Sequence, residues 1–84
     1  MDYIARTPQQ LGAILRSGRS VRALTQQAAG SKVGLKQSTV STIEADASRA
    51  SVQTLYKLLS ALGLELVIRD PKGARSAPAR KLEW

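Results

Sequence analysis

Eighty-four residues are enough for one small domain with a modest core, a size at which burial is often supplemented by disulfides, a metal or association with other chains. The chain has no Cys and no His, which excludes disulfides, zinc sites of the N/S type and every Ser-His or Cys-His catalytic arrangement, and leaves association as the supplement. The formal charge is +7, and between Tyr3 and Ile43 there is no acidic residue while Arg6, Arg16, Arg19, Arg22, Lys32 and Lys36 all fall there. A one-sign stretch of this length, folded compactly, sets up a field suited to a polyphosphate partner.

Other classes find little support. The sequence has no apolar stretch of membrane-spanning length, no helix pairing a Trp/Phe-rich face with a basic one, and no apolar leader, so a cytoplasmic, nucleoid-associated protein without membrane contact is expected. With 6 carboxylates, no His, no Cys and no Gly-rich phosphate loop, nothing suggests a catalytic centre, a metal site or a cofactor.

Thr7-Pro8 reads as a helix start, Thr as N-cap and Pro at the first helical position. Leu11, Ile14 and Leu15 follow at helical spacing, with Val21 and Leu24 extending the apolar set, which predicts a first helix over 8–22 with Gly18 inside it. Thr25 caps a short second helix predicted over 25–33, with Ala28, Ala29 and Val33 inward and Gly34 as its left-handed C′ residue. A third helix is predicted over 37–45, with Val40 and Ile43 facing the core and Leu35 plugging the turn before it. Ser51 then caps a fourth helix with the clearest apolar stripe of the chain, Val52, Leu55, Leu58, Leu59 and Leu62, stopped by Gly63.

Beyond Gly63 the period changes to two: Leu64, Leu66 and Ile68 alternate with Glu65, Val67 and Arg69, as in a strand. No second strand of similar quality exists, and a lone strand cannot satisfy its backbone. The simplest partner is the same strand of a second copy, paired about a two-fold axis in a homodimer; the alternative is residues 2–6 of the same chain. The fold class is therefore mostly α: four helices, one carboxy-terminal strand shared across a homodimer, and a flexible tail. Residues 1–70 make the folded, dimerising domain and 71–84 the tail, which turns to Lys, Gly, Arg, Ser, Ala and Pro without periodicity and carries the only tryptophan, Trp84. Trp is enriched at binding hot spots, so a partner for Trp84 stands beside folding back on its own domain.

Helices two and three, separated by one glycine turn, read as a helix-turn-helix. In that motif the second helix lies in the major groove with its amino-terminal residues at base edges. Here these are Lys36, Gln37, Ser38, Ser41 and Thr42. Gln makes a bidentate pair with adenine, Lys donates to guanine, and Ser or Thr meets either. A merely solvated helix face would more typically carry Glu, Lys and Arg pairs. Thr25, Gln26 and Gln27, at a helix amino terminus with N–H groups to spare, are candidates for holding phosphate. Glu44 is the first acidic residue after Asp2, and at the end of helix three it is placed to pair with Arg19 on helix one, a structural ion pair that locks the two helices.

Arg19, Leu24-Thr25-Gln26, Gly34, Gln37-Ser38-Thr39-Val40-Ser41 and Glu44 together resemble the Cro/repressor class of helix-turn-helix domains, the XRE family. A narrower resemblance, to the HipB-type antitoxins, rests on Thr7-Pro8-Gln9-Gln10-Leu11, Gly34-Leu35-Lys36-Gln37, Leu62-Gly63-Leu64-Glu65-Leu66, Asp70 and Leu82-Glu83-Trp84. It implies a homodimer sealed by a two-chain ribbon that binds palindromic double-stranded operator DNA, represses its own operon and holds a HipA-like serine/threonine kinase toxin, with Leu82 and Trp84 as toxin contacts. A stand-alone XRE-type regulator with no toxin partner is the alternative. The chain departs from the class at Ala29-Gly30, where Leu-Ala is preferred, and at Ala23, where a glycine is common.

Overall fold

Four helices and a 3₁₀ turn make up the regular structure of the computed structural model, which describes residues 2–71. Helix α1, Pro8–Val21, starts where the Thr7 hydroxyl accepts from the Gln10 N–H at 3.1 Å. The Gln10 amide oxygen accepts in turn from the Arg6 N–H at 2.6 Å, so side chains hold the start of the helix in both directions. Thr25 opens α2, Gln26–Ser31, by accepting from the Ala28 N–H at 2.9 Å. Helix α3, Gln37–Ala45, follows Lys36, whose side chain makes no capping bond. The Asp46 carboxylate opens the 3₁₀ turn Ala47–Arg49, accepting from the Ser48 N–H at 2.9 Å and its hydroxyl at 2.7 Å. Ser51 caps α4, Val52–Ala61, through the Thr54 N–H at 3.0 Å.

Three of these helices end in one way. Ala23, Gly34 and Gly63 take positive φ, 55°, 73° and 67°, after α1, α2 and α4. The leucine that follows each, Leu24, Leu35 or Leu64, donates its N–H back to Arg19, Gly30 or Leu59 at 3.2, 2.9 and 2.9 Å. These are Schellman ends, in which the carbonyls left over at the last turn are satisfied by the reversing chain. All three leucines pack against the core formed by Leu15, Ala29, Val40, Ile43, Ala47, Leu58, Leu59 and Leu62.

Close backbone approach sets the helix crossings. A Cβ on Gly12 would stand 2.5 Å from the Glu44 carbonyl oxygen and 2.7 Å from that of Ile43, so α1 meets α3 across a glycine. A Cβ on Gly30 would collide with the Leu35 carbonyl, so the small pair Ala29-Gly30 lets α2 lie against its own turn.

Several expectations need correction. Helix α2 stops at Ser31, short of residue 33, because the Gly30 carbonyl accepts from Val33 and Leu35 and so closes the turn early. Val21 and Val52 are exposed: Val21 lies off the Leu11, Leu15 and Gly18 face, and Val52 sits in the first turn of α4, beyond the buried Leu58 and Leu59. No strand is assigned among the described residues. Leu64 is half-buried against the core, whereas Leu66 and Ile68 are exposed. A strand exists only through its ladder; among the described residues none pairs its backbone with this segment, whose expected partner is a second copy, and its link to the 2–6 segment is a side-chain contact, Asp2 with Arg69. Among the described residues no helix is long and apolar enough to cross a membrane.

Candidate nucleic-acid interface

Helix α3 divides sharply. Val40, Ile43 and Glu44 are buried, while Gln37, Ser38, Ser41 and Thr42 are exposed together with Lys36 just before the helix. Thr42 spends its hydroxyl proton on the Ser38 carbonyl at 2.9 Å, so toward a ligand it acts as an acceptor. Thr25 and Gln27 are exposed at the start of α2.

Beneath this face lies a network centred on Glu44. Its carboxylate accepts from Arg19 Nε at 2.6 Å and Nη2 at 3.1 Å, with the two side chains 13% and 5% exposed. Arg19 also donates from Nη1 to the Leu24 carbonyl at 2.8 Å, tying the end of α1 into the same cluster. The hydrogen bond to Glu44 raises the Arg19 pKa further, against burial. Every buried side-chain polar atom among the described residues has a partner.

Gln26 adds a connection that sequence reasoning missed. Its Nε2 donates to Glu44 Oε1 at 3.1 Å and its Oε1 accepts from Gln37 Nε2 at 3.5 Å. A carboxylate only accepts, so the Gln26 NH₂ must face Glu44 and its oxygen must face Gln37. Gln37 must then turn its own NH₂ inward, leaving its oxygen and its second N–H for a partner. That donor and acceptor pair is what an adenine edge requires. The Gln26 side chain is therefore turned to protein groups, and its main-chain N–H is what the start of α2 offers to a phosphate. The signal in the sequence was the buried acid itself, whose two oxygens call for more donors than one arginine.

Leu82 and Trp84 lie outside the described residues, as does most of the 71–84 segment. Among the described residues no group of acidic side chains is arranged to hold a metal ion.

The helix-turn-helix family matches residues 22–68, which span α2, α3 and α4. Antitoxin HipB of Escherichia coli O6:H1 is 32% identical over 80 residues, covering 93% of this chain and 85% of that protein. Antitoxin HipB of Escherichia coli K12 is 31% identical over 80 residues, with 93% and 91% covered. Among solved structures, a HipB–O4 20mer complex superposes with a TM-score of 0.77 at 28% identity, covering 82% of this chain and 97% of that one. A HipA–HipB–O2–O3 complex gives 0.74 at 28% identity, with 83% and 97% covered. The fold, the Arg19–Glu44 lock beneath a face of short polar side chains, and these matches along nearly the whole chain agree: the chain belongs to the helix-turn-helix family and, within it, to the HipB antitoxins.

Proposed function

We propose that the protein is a homodimeric, sequence-specific repressor of its own operon and the antitoxin of a HipA-type serine/threonine kinase. Lys36, Gln37, Ser38, Ser41 and Thr42 read base edges in the major groove, and Thr25, Gln26 and Gln27 hold the adjacent phosphate. Leu64, Leu66 and Ile68 pair with the same strand of a second copy, so that residues 1–70 form the DNA-binding and dimerisation unit. Residues 71–84, with Leu82 and Trp84, engage the toxin. The observation that carries the DNA reading is the fixed polarity of Gln37: an exposed amide held by a chain of bonds to a buried carboxylate is preorganised to read one base edge. The toxin reading is supported by likeness to the HipB of the HipA–HipB–O2–O3 complex.

The experiment is a footprint and titration on the DNA upstream of the chain's own gene, with Gln37→Ala and Gln26→Ala beside the parent. Gln37→Ala is expected to cost about 1–3 kcal/mol on the cognate palindrome and to relax base preference at one position of each half-site, while leaving affinity for random DNA nearly unchanged. Gln26→Ala is expected to relax the same position. Equal losses on cognate and random DNA would make Gln37 a backbone contact and refute the readout assignment. Co-purification of a kinase by the full chain, abolished on removing residues 81–84, tests the antitoxin assignment; a complex that survives this truncation would move the toxin site off the tail.

A further inference from the structure

Between the residues that lead into α1 and the 3₁₀ turn lies a hollow of about 310 Å³. Ala5, Pro8, Leu11 and Ala47 give it apolar walls, and Arg6, exposed and without an acidic partner among the described residues, adds a cation. Its volume is at the small end of ligand pockets, about 300–1,000 Å³. The start of the tail is close by: Arg69 Nη2 donates to Asp2 Oδ2 at 2.8 Å, and Asp2 stands three residues before Ala5, at most about 11 Å along the chain. Residues 70–81 separate this point from Leu82-Glu83-Trp84, and a coil of that length spans roughly 20 Å. A tether whose length matches the span it bridges gives the highest effective concentration.

We propose that Leu82-Glu83-Trp84 docks in the hollow of its own chain, with the Trp84 indole on Pro8 and Leu11 and the Glu83 carboxylate on Arg6. The inference goes beyond the toxin assignment and does not depend on it. Trp84 is the only tryptophan of the chain, a side chain with a large apolar surface to bury. Glu83 is the only acid after Asp70, and Arg6 is the only cation in the lining, so the two are complementary. The tether keeps them at high local concentration, so a small contact suffices. A partner that takes the same side chains must draw them off the hollow, and its apparent affinity is lowered by the fraction docked.

Because Trp84 is the only tryptophan, its fluorescence reports its own surroundings. In the full chain its emission is expected at shorter wavelength, and its quenching by acrylamide several-fold weaker, than in a synthetic peptide of residues 76–84. The variant Ala5→Glu/Arg6→Glu puts two acids into the lining on exposed residues before α1, and is expected to abolish both differences with helix content by circular dichroism unchanged. A parent quenched as readily as the peptide overturns the proposal. So does a protected Trp84 that this variant leaves protected, since the indole then lies elsewhere. Glu83→Lys gives a second reading from a change outside the described residues: it is expected to expose Trp84 in the parent and to restore protection in an Arg6→Glu chain. An exchange that restores nothing refutes the contact with Arg6. Refolding the Ala5→Glu/Arg6→Glu chain with an excess of Trp84→Ser chain, whose hollow is intact, is expected to leave the indole exposed. Recovered protection would put the tail on a second copy and refute docking within one chain.

Discussion

Replacing Glu44 with Ala removes the acceptor of three hydrogen bonds, two from Arg19 and one from Gln26, in a site where the Arg19 side chain is only 13% exposed. The guanidinium keeps one bond, to the Leu24 carbonyl, and is otherwise left as a nearly buried cation. Removing one partner of such a pair costs about 3–5 kcal/mol. A small domain is held by only about 0.05–0.15 kcal/mol per residue, so this loss is a large part of the total. Urea unfolding at fixed protomer concentration is the assay, because association adds to apparent stability. The double variant Arg19→Met/Glu44→Leu provides the control: with both charges gone and apolar volume restored, most of the loss is expected to return. A Glu44→Ala protein destabilised by less than about 1 kcal/mol would mean that solvent reaches Arg19 freely, and the argument for a lock between α1 and α3 would fail.

Ala23→Gly is expected to stabilise by about 0.5–1 kcal/mol, since a left-handed Ala carries more strain than the added chain entropy of Gly costs; a loss of stability by thermal unfolding would refute the assignment of strain to that position. Gly12→Ala is expected to destabilise by about 1–3 kcal/mol, because its methyl group meets two carbonyl oxygens of α3; an unchanged urea midpoint would show that the crossing can open without cost. Asp46 is held below the ordinary carboxylate range by its hydrogen bonds from the Ser48 side chain and N–H, with burial opposing and Arg49 assisting. Its folded-state pKa is the lower one, so its contribution is present above the unfolded value and is lost as pH falls through the folded value. The stability gap between the parent and Asp46→Asn should accordingly narrow from neutral to strongly acid pH; a gap independent of pH would show that the charge is not what holds the turn.

Helix positions were legible because their ends are local chemistry: Thr7, Thr25 and Ser51 cap as hydroxyl residues do, and Gly34 and Gly63 reverse the chain where glycine is cheapest. The polar face of α3 was legible because Val40 and Ile43 fix which side is buried. What was not legible depends on pairs distant in sequence. The Gln26 amide belongs by position to the start of a helix, and only the packing of α2 on α3 turns it toward Glu44 and Gln37. Gly12 gave no local sign of its role, which exists only because another helix's carbonyls lie against it. The 64–69 segment shows the opposite case: its alternation is plain, but a strand needs a second strand, and one chain contains just one such sequence.

The leucine after each reversed turn also sets rotational phase. Leu35 is packed against the core two residues before Gln37, so the azimuth of α3 is decided before the helix begins. A single residue inserted at position 36 would leave Leu35 in place and rotate everything beyond it by about 100°. Gln37, Ser38 and Ser41 would swing toward the core and Val40 and Ile43 toward solvent. The chain could no longer fill its core and present its polar face at once. The length of this turn is therefore under a tighter constraint than its composition, and the orientation of the whole polar face of α3 hangs on one half-buried apolar side chain that precedes the helix.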